Sequence, residues 1–544
     1  MTPRQVTGGQ LLVDNLIAHD VDTIFGIPGI QLYELVDALF DAREGLSLIA
    51  PRHEQSTTYM ADGYARVTGK PGVAMVVPGP GVLNATAGLA TALACSSPVL
   101  LLCGQLDSQL IDDRKYGALH EIPDQTGILR SLTKWVGTAR DAREIPDLVA
   151  LAFHHLNTGV PGPVALEVPP DVLAARVETR TASRIVPAEA TFPRDKLESI
   201  AALIARSERP YILAGGGAQA AGDAILDCAT LLGCPVIQSR NGRGVVDATH
   251  PLVLDPYARA EVISDADLVI VIGSRMGTGA GGHIDLGTGN VININAEVSD
   301  LGYPRPTTEH ALLGDARVVT EQIVDALRRL GSAPASTWTQ SEIERIRTSA
   351  AQQLEQVSPQ LEYLRAIRTT LPADTVLVSE YTQVGYVSTI TYPASSPRSF
   401  ISPGYQGTLG YGFATAIGAQ VGAPDRRVVS ISGDGGFSWT LPELATLARY
   451  RIPLIAIVFN DGRYGNVYRS QKYAYEGRVL ASDLTNPDFM RLADAYGVES
   501  FRVHDAGGLR DALFEVAKRD APALIEVEVD EFPSPWALFD EPGQ

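Results

Sequence analysis

Two aspartates define the chemistry open to this sequence. Asp434 stands in Gly433-Asp434-Gly435-Gly436, directly after the run "VVSIS", and Asp461 follows "PLIAIVFN" in Asn460-Asp461-Gly462. Between them, "LPELATLARY" has helical spacing, so the segment reads as strand, helix, strand. A right-handed crossover brings both strand ends to one edge of a parallel sheet, the edge where such sheets bind ligands. Two carboxylates there suit a hard divalent cation such as Mg²⁺, which takes oxygen ligands and completes its shell with phosphates and water. The amides of Gly435 and Gly436, at a helix N-terminus, favour an anion beside the metal, and the glycines leave room for it. Taken alone, Asp434 serves equally well as a helix cap. The second carboxylate in register turns the reading toward metal plus diphosphate.

These residues need a scaffold, and the rest of the chain supplies it. Strand and helix signals alternate almost throughout, which predicts α/β layers on parallel sheets. The 544 residues exceed one ordinary core. Three comparable α/β units are expected, each a doubly wound parallel sheet, over 1–180, 191–330 and 357–544. A polar, Pro-punctuated linker separates the first two, and a polar helical connection leads into the third.

Composition narrows the class. A formal net charge of −19 argues against a nucleic-acid partner. The apolar runs are strand-length, which argues against a membrane span, and the N-terminus lacks the apolar core of a signal peptide. Cys95, Cys103, Cys228 and Cys234 show no metal-ligand spacing and read as buried free thiols. Together these features predict a cytoplasmic globular protein.

The Gly433-Asp434-Gly435 and Asn460-Asp461 pair resembles the Mg–diphosphate motif of thiamine-diphosphate enzymes, with Asp461 where that family usually has a second Asn. The resemblance implies Asp434, Asp461 and the backbone carbonyl of Arg463 as metal ligands. It places Tyr464, Gly465, Asn466, Thr382 and Gln383 near the diphosphate. Upstream, "PRHEQSTTYMADGYARVTG" resembles the site of the acetolactate-synthase group that holds the aminopyrimidine ring, which makes Glu54 the activating acid. "SPGYQGTLGYGFATAIGAQ" resembles the segment that bends the cofactor, with Leu409 as the wedge and the Gly407 carbonyl as an acceptor. "VVPGPGVLNATAGLATA" fits the family's glycine-rich loop through Gly79, Gly81 and Asn84. The three units then become, in order, the pyrimidine-binding domain, a central Rossmann-like domain and the diphosphate-binding domain.

The resemblance implies a thiamine-diphosphate- and Mg²⁺-dependent lyase or carboligase. Its substrate would be a 2-oxo acid, an aldehyde or a 2-hydroxy ketone (acyloin). Two departures stand against a biosynthetic acetolactate synthase. Ser470 sits where that enzyme carries a pocket tryptophan, and "IGSRMGTGAGGHIDLG" replaces the stretch typical of FAD-using members, so FAD is not expected. An acetolactate synthase or an FAD-containing oxidase is the alternative, and a catalytically silent paralogue a further one. Ile30 replaces the polar residue that decarboxylase relatives use. His120 falls where related synthases and benzaldehyde-lyase-like enzymes place an active-site glutamine, and its intrinsic pKa suits proton transfer at neutral pH. Gln31 and Tyr468 are weaker candidates for that pocket, and a packing histidine is the bland reading of His120. In the family it resembles, the pyrimidine domain of one subunit faces the diphosphate domain of another, so the resemblance implies a homodimer or homotetramer with Glu54 and Asp434 meeting between subunits.

Overall fold

The computed structural model describes residues 4–111, 115–277, 284–301, 310–331 and 336–539. Three six-stranded sheets follow one another along the chain, and every strand pair within them is parallel. Across the first sheet lie Ser47–Ile49, Thr23–Gly26, Gly72–Val76, Val99–Gly104, Val164–Val168 and Val136–Thr138. Across the third lie Phe400–Ile401, Val376–Ser379, Val428–Gly433, Ile455–Asn460, Ala523–Glu528 and Glu499–Val503. Counted along the chain, both sheets have the order 2-1-3-4-6-5. The central sheet, from Pro210–Ala214 to Ala311–Leu313, has the order 3-2-1-4-5-6 of dinucleotide-binding folds.

The central strands are apolar along their length because helices cover both sheet faces. Gly72–Val76, Val99–Gly104 and Leu268–Ile272 are buried at every position. One helix contradicts its own composition: Glu54–Thr68 is rich in polar residues, yet Ser56 to Ala65 are all buried. It is sandwiched between the first sheet and the helix Tyr411–Gly422 of the third unit, itself buried from Tyr411 to Gln420. Each of these helices joins the second and third strands of its own unit, so equivalent elements pack together. Glycines set their approach. A Cβ on Gly63 would overlap the Thr415 carbonyl, and one on Gly418 would overlap the Met60 carbonyl. Hydrogen bonds close the contact: Arg66 donates to the Tyr411 hydroxyl at 2.9 Å, and that hydroxyl donates to Asp62 Oδ2 at 2.9 Å.

The helix expected at "LPELATLARY" starts earlier. Asp434–Thr440 is already helical, and Pro442 then forces a 3₁₀ turn before Leu444–Tyr450 resumes. All four cysteines are free thiols; Cys103, Cys228 and Cys234 are buried and Cys95 is half-buried. Among the described residues, no helix is long and apolar enough to cross a membrane.

Candidate active site

Gly433 pairs with Phe459 across the two central strands of the third sheet, so Asp434 and Asp461 leave the sheet side by side. Asp434 is 1% exposed and begins the helix Asp434–Thr440. Its carboxylate accepts from the amide of Asn486 at 2.6 Å and faces the N–H groups of Gly435 and Gly462. Burial still raises its pKa. The Asp461 carboxyl is pushed up to about 6, by burial first and then by the negative charge of Asp434. Gln383 donates to Asp461 Oδ2 at 2.9 Å, and the Arg463 N–H donates to Oδ1 at 3.1 Å.

Among the described residues, no lysine or arginine side chain forms an ion pair with either carboxylate. Arg463 acts on Asp461 from farther away and itself pairs with Asp483 at 3.6 Å. Two neighbouring acids, both raised by burial and one raised further by the other's charge, fit a divalent cation between them. Among the described residues, no group of three or more His, Cys, Asp or Glu side chains is placed to hold a metal. The expected ligand set has only two carboxylates, the third position falling to a backbone carbonyl.

The glycines of the motif serve a purpose that the sequence did not suggest. A Cβ on Gly435 would stand 2.7 Å from the Tyr464 ring, and one on Gly436 would overlap Glu380 Oε1. Their side-chain space is taken by protein. Thr382 is the N-cap residue of Gln383–Thr391, close to Gly433. A Cβ on Gly465 would lie 2.8 Å from Asp461 Oδ2. Asn466 is exposed and accepts from the Trp536 indole at 3.0 Å. Leu409 is half-buried in the turn between Gly407, at φ +59°, and Gly410, at φ +79°.

Two residues of this half-site escaped the sequence reading. Asn486 also donates to Asn460 Oδ1 at 2.9 Å and so ties the two strand ends together. Its "TNPD" setting reads only as a turn. Glu380, 1% exposed, accepts from the N–H groups of Gly410 at 2.9 Å and Gly412 at 3.0 Å. Burial pushes its carboxyl up to about 7 against those two bonds. Here a signal was present: "TVLVSE" ends a strand on an acid just as "VVSISGD" does.

The second half-site lies on the first unit. Glu54 opens its helix, half-buried, and its Oε2 accepts from Asn84 Nδ2 at 3.0 Å. The preceding turn is pinned by Glu443, whose carboxylate accepts from the N–H groups of Arg52 and His53. Gly79, at φ +61°, caps the helix Pro80–Cys95 that carries Asn84. His120 is half-buried with its Nδ1 3.0 Å from Gln31 Oε1. Among the described residues, no hydrogen bond or ion pair joins the Glu54–Asn84 pair to Asp434 or Asp461.

In the central unit the glycine loop after Pro210–Ala214 is turned in on itself. The Gly215 N–H donates to the Ile272 carbonyl at 2.8 Å and the Gly217 N–H to the Gly273 carbonyl at 2.9 Å. A Cβ on Gly215 would overlap the Gly273 carbonyl. The glycines serve backbone contact, and their amides are occupied. The "GTGAGG" part of the stretch that argued against FAD lies largely in 278–283, outside the described residues.

Family comparison agrees with this layout domain by domain. Residues 6–128 match the thiamine pyrophosphate enzyme N-terminal TPP binding domain, 197–323 the central domain and 382–527 the C-terminal TPP binding domain. The chain belongs to the thiamine pyrophosphate (thiamine diphosphate) enzyme family. Within it, the chain falls in the acetolactate-synthase-like group. It is 32% identical to a probable acetolactate synthase large subunit of Methanocaldococcus jannaschii, covering 96% of this chain and 92% of that protein. It is 34% identical to a probable 2-ketoarginine decarboxylase of Pseudomonas aeruginosa, covering 97% and 95%. The acetolactate synthase isozyme 2 large subunit of Escherichia coli is 29% identical, covering 98% and 97%.

Proposed function

We propose that this thiamine-diphosphate enzyme is a Mg²⁺-dependent carbon–carbon lyase or carboligase acting on a 2-oxo acid or 2-hydroxy ketone. The observation that carries the proposal is the Asp434–Asp461 pair, a buried and a half-buried carboxylate at adjacent strand ends that, among the described residues, form no ion pair with a lysine or arginine. Asp434, Asp461 and the Arg463 carbonyl would hold the metal, and Gln383 and Asn486 orient the two acids. When bound, the cofactor supplies a nucleophilic carbon for a carbonyl and an electron sink for the adjacent bond. Glu54 would exchange a proton with the aminopyrimidine ring, with Asn84 fixing one carboxylate oxygen and leaving the other free. Leu409 would hold the cofactor bent, its turn fixed from below by Glu380. His120 would carry the substrate-side proton.

Glu54 and Asp434 must both reach one cofactor, although among the described residues no hydrogen bond or ion pair joins the Glu54–Asn84 pair to Asp434 or Asp461 within the chain. A homodimer, or a tetramer built as a dimer of dimers, with sites between subunits would resolve this. Two-fold closure is also the commonest oligomer geometry. The occupied amides of Gly215 and Gly217 favour a central domain without FAD.

Acetolactate synthesis is the second reading, favoured by relatives that carry that name; Ser470, on the helix Gly465–Tyr473, stands against it. The purified enzyme, given thiamine diphosphate, Mg²⁺ and a panel of 2-oxo acids and acyloins, is tested by mass spectrometry of its products. Aldehyde or acyloin products other than acetolactate support the lyase or carboligase reading. Acetolactate alone supports the synthase, and turnover of nothing in the panel supports a silent paralogue.

A further inference from the structure

His120, on a loop, and Gln31, in the 3₁₀ turn Ile30–Leu32, lie far apart in sequence, yet the geometry between them fixes where a proton sits. The Gln31 side chain, 8% exposed, places Nε2 3.2 Å from the Leu119 carbonyl and Oε1 3.0 Å from His120 Nδ1. A backbone carbonyl only accepts, so the amide nitrogen must face Leu119. The amide oxygen then faces Nδ1, and it too only accepts. Nδ1 must therefore be the protonated nitrogen. Flipping the amide would set two acceptors against each other at Leu119 and two donors at Nδ1.

We propose that Gln31 is a positioning residue that holds His120 in its Nδ1–H form, leaving the lone pair on Nε2 to accept a substrate proton. This rests on the reading of His120 as the proton carrier. Imidazole with a free choice in water favours the opposite tautomer, so the assignment is specific to this loop. Which nitrogen is protonated follows from the bond that the other makes.

The surroundings are built to keep that bond. His120 has φ +69°, a left-handed conformation uncommon outside glycine. Its carbonyl occupies the space a Cβ on Gly79 would need. Gly79 is held in turn, its N–H donating to Gln125 Oε1 at 2.8 Å. Gln125 Nε2 donates to the Gly104 carbonyl at 3.0 Å and to Glu167 Oε1 at 2.9 Å. The stem of Gln31 packs at the same place, its Cβ 3.2 Å from where one on Gly104 would lie. Segments at the ends of four strands of the first sheet thus converge on the His120 loop. Glu121, beside it, is occupied by the N–H groups of Tyr116 and Ala118, at 2.9 Å each at the closest oxygen.

The test is magic-angle-spinning NMR on ¹⁵N-histidine holoprotein with thiamine diphosphate and Mg²⁺ and no substrate. His120 is identified by the signal lost in His120→Gln. The expected wild-type spectrum has a pyrrole-type Nδ1 and a pyridine-type Nε2. In Gln31→Met the tautomer ratio should shift toward Nε2–H by roughly fivefold or more, the worth of one neutral hydrogen bond. Gln31→Glu keeps an acceptor at Nδ1, so it should retain the Nδ1–H form. A wild-type Nε2–H tautomer overturns the proposal, as does an unchanged ratio in Gln31→Met. Turnover is read separately. Full turnover in His120→Gln overturns the proton-carrier reading and the catalytic purpose with it, while the spectrum alone decides the tautomer. A fall in kcat at unchanged KM and cofactor retention in Gln31→Met, restored in Gln31→Glu, supports positioning over loop support.

Discussion

Glu380→Gln tests the electrostatics of the diphosphate domain with a change of one proton and almost no volume. The carboxyl is fully buried, and burial lifts it from 4.5 to about 7 even though two backbone N–H groups and the Ser432 hydroxyl pull the other way. That lift of about 2.5 units makes the ionised form cost about 3 kcal/mol in the folded protein. The folded pKa lies above the unfolded one, so the native state holds the proton more tightly. Stability from this group is greatest below pH 4.5, falls as pH rises toward 7 and is level above it. Glutamine has no such dependence. It retains one acceptor and turns an amide nitrogen toward the other N–H, a constant cost of about 1–3 kcal/mol. The stability difference between variant and wild type should therefore move in favour of Gln by about 2 kcal/mol between pH 5.5 and pH 8.5. The constant offset does not affect that slope. Urea unfolding of the metal-free protein, followed by tryptophan fluorescence at matched ionic strength, measures it. Parallel curves for the two proteins would show that Glu380 does not titrate near neutrality. In that case the Gly410 and Gly412 N–H groups would offset burial and hold the carboxylate ionised across the whole range.

The remaining predictions concern cofactor, assembly and proton traffic. Asp434→Ala should abolish retention of thiamine diphosphate by calorimetry, because the diphosphate would meet Asp461 without a screening cation; Asp461→Asn should keep most activity, since Asn also offers an oxygen to Gln383 and the metal. Sedimentation at assay concentration should find the active species dimeric or larger, and a fully active monomer would refute sites shared between subunits. The purified protein should be colourless and indifferent to added flavin, because the Gly215 and Gly217 amides are already bonded; a stoichiometric yellow chromophore would revive the oxidase reading. Glu54→Gln should slow exchange of the cofactor C2 proton without substrate, whereas His120→Ala should leave it near wild type and slow later steps by about 10²–10⁴-fold. Equal exchange defects would remove His120 from substrate chemistry.

The sequence made legible whatever depends on local pattern and chain direction. Asp434 and Asp461 each end an apolar run, and crossover handedness suffices to make them neighbours, as the Gly433–Phe459 register bears out. What stayed hidden depends on long-range packing. Nothing local tells that "TNPD" returns Asn486 to both strand ends. The polar composition of Glu54–Thr68 suggests a surface helix, and its burial follows only from the helix Tyr411–Gly422 laid against it. The expected reason for Gly435 and Gly436 was room for a ligand. Their side-chain space in fact goes to Tyr464 and Glu380, because the diphosphate loop is packed from behind. A pattern announces that a glycine is needed, and only the fold says by whom.

The two cofactor domains share one strand order, and comparison at equivalent positions explains how a repeated scaffold divides two tasks. After its third strand, the first unit has Gly79-Pro80-Gly81 and the third has Gly433-Asp434-Gly435. Both turns feed a helix N-terminus at the ligand edge of the sheet. In the first, Gly79 at φ +61° bends the chain against His120, and the first helical turn carries no acid. Glu54 there pairs with a neutral amide, Asn84, which suits an aminopyrimidine. In the third, the equivalent turn carries Asp434, and the next strand end adds Asp461. Two acids there would repel a diphosphate unless a cation stood between, so the metal proposed above would belong to one half of the pair alone. The equivalent helices Glu54–Thr68 and Tyr411–Gly422, packed backbone to backbone through Gly63 and Gly418, set the two edges at a fixed relation within each chain. Exchange of Gly63 for alanine would disturb that relation without touching either edge. Loss of assembly and of cofactor retention together in such a variant would mean that the packing of the helix pair, rather than the residues at each edge, sets the spacing between the half-sites.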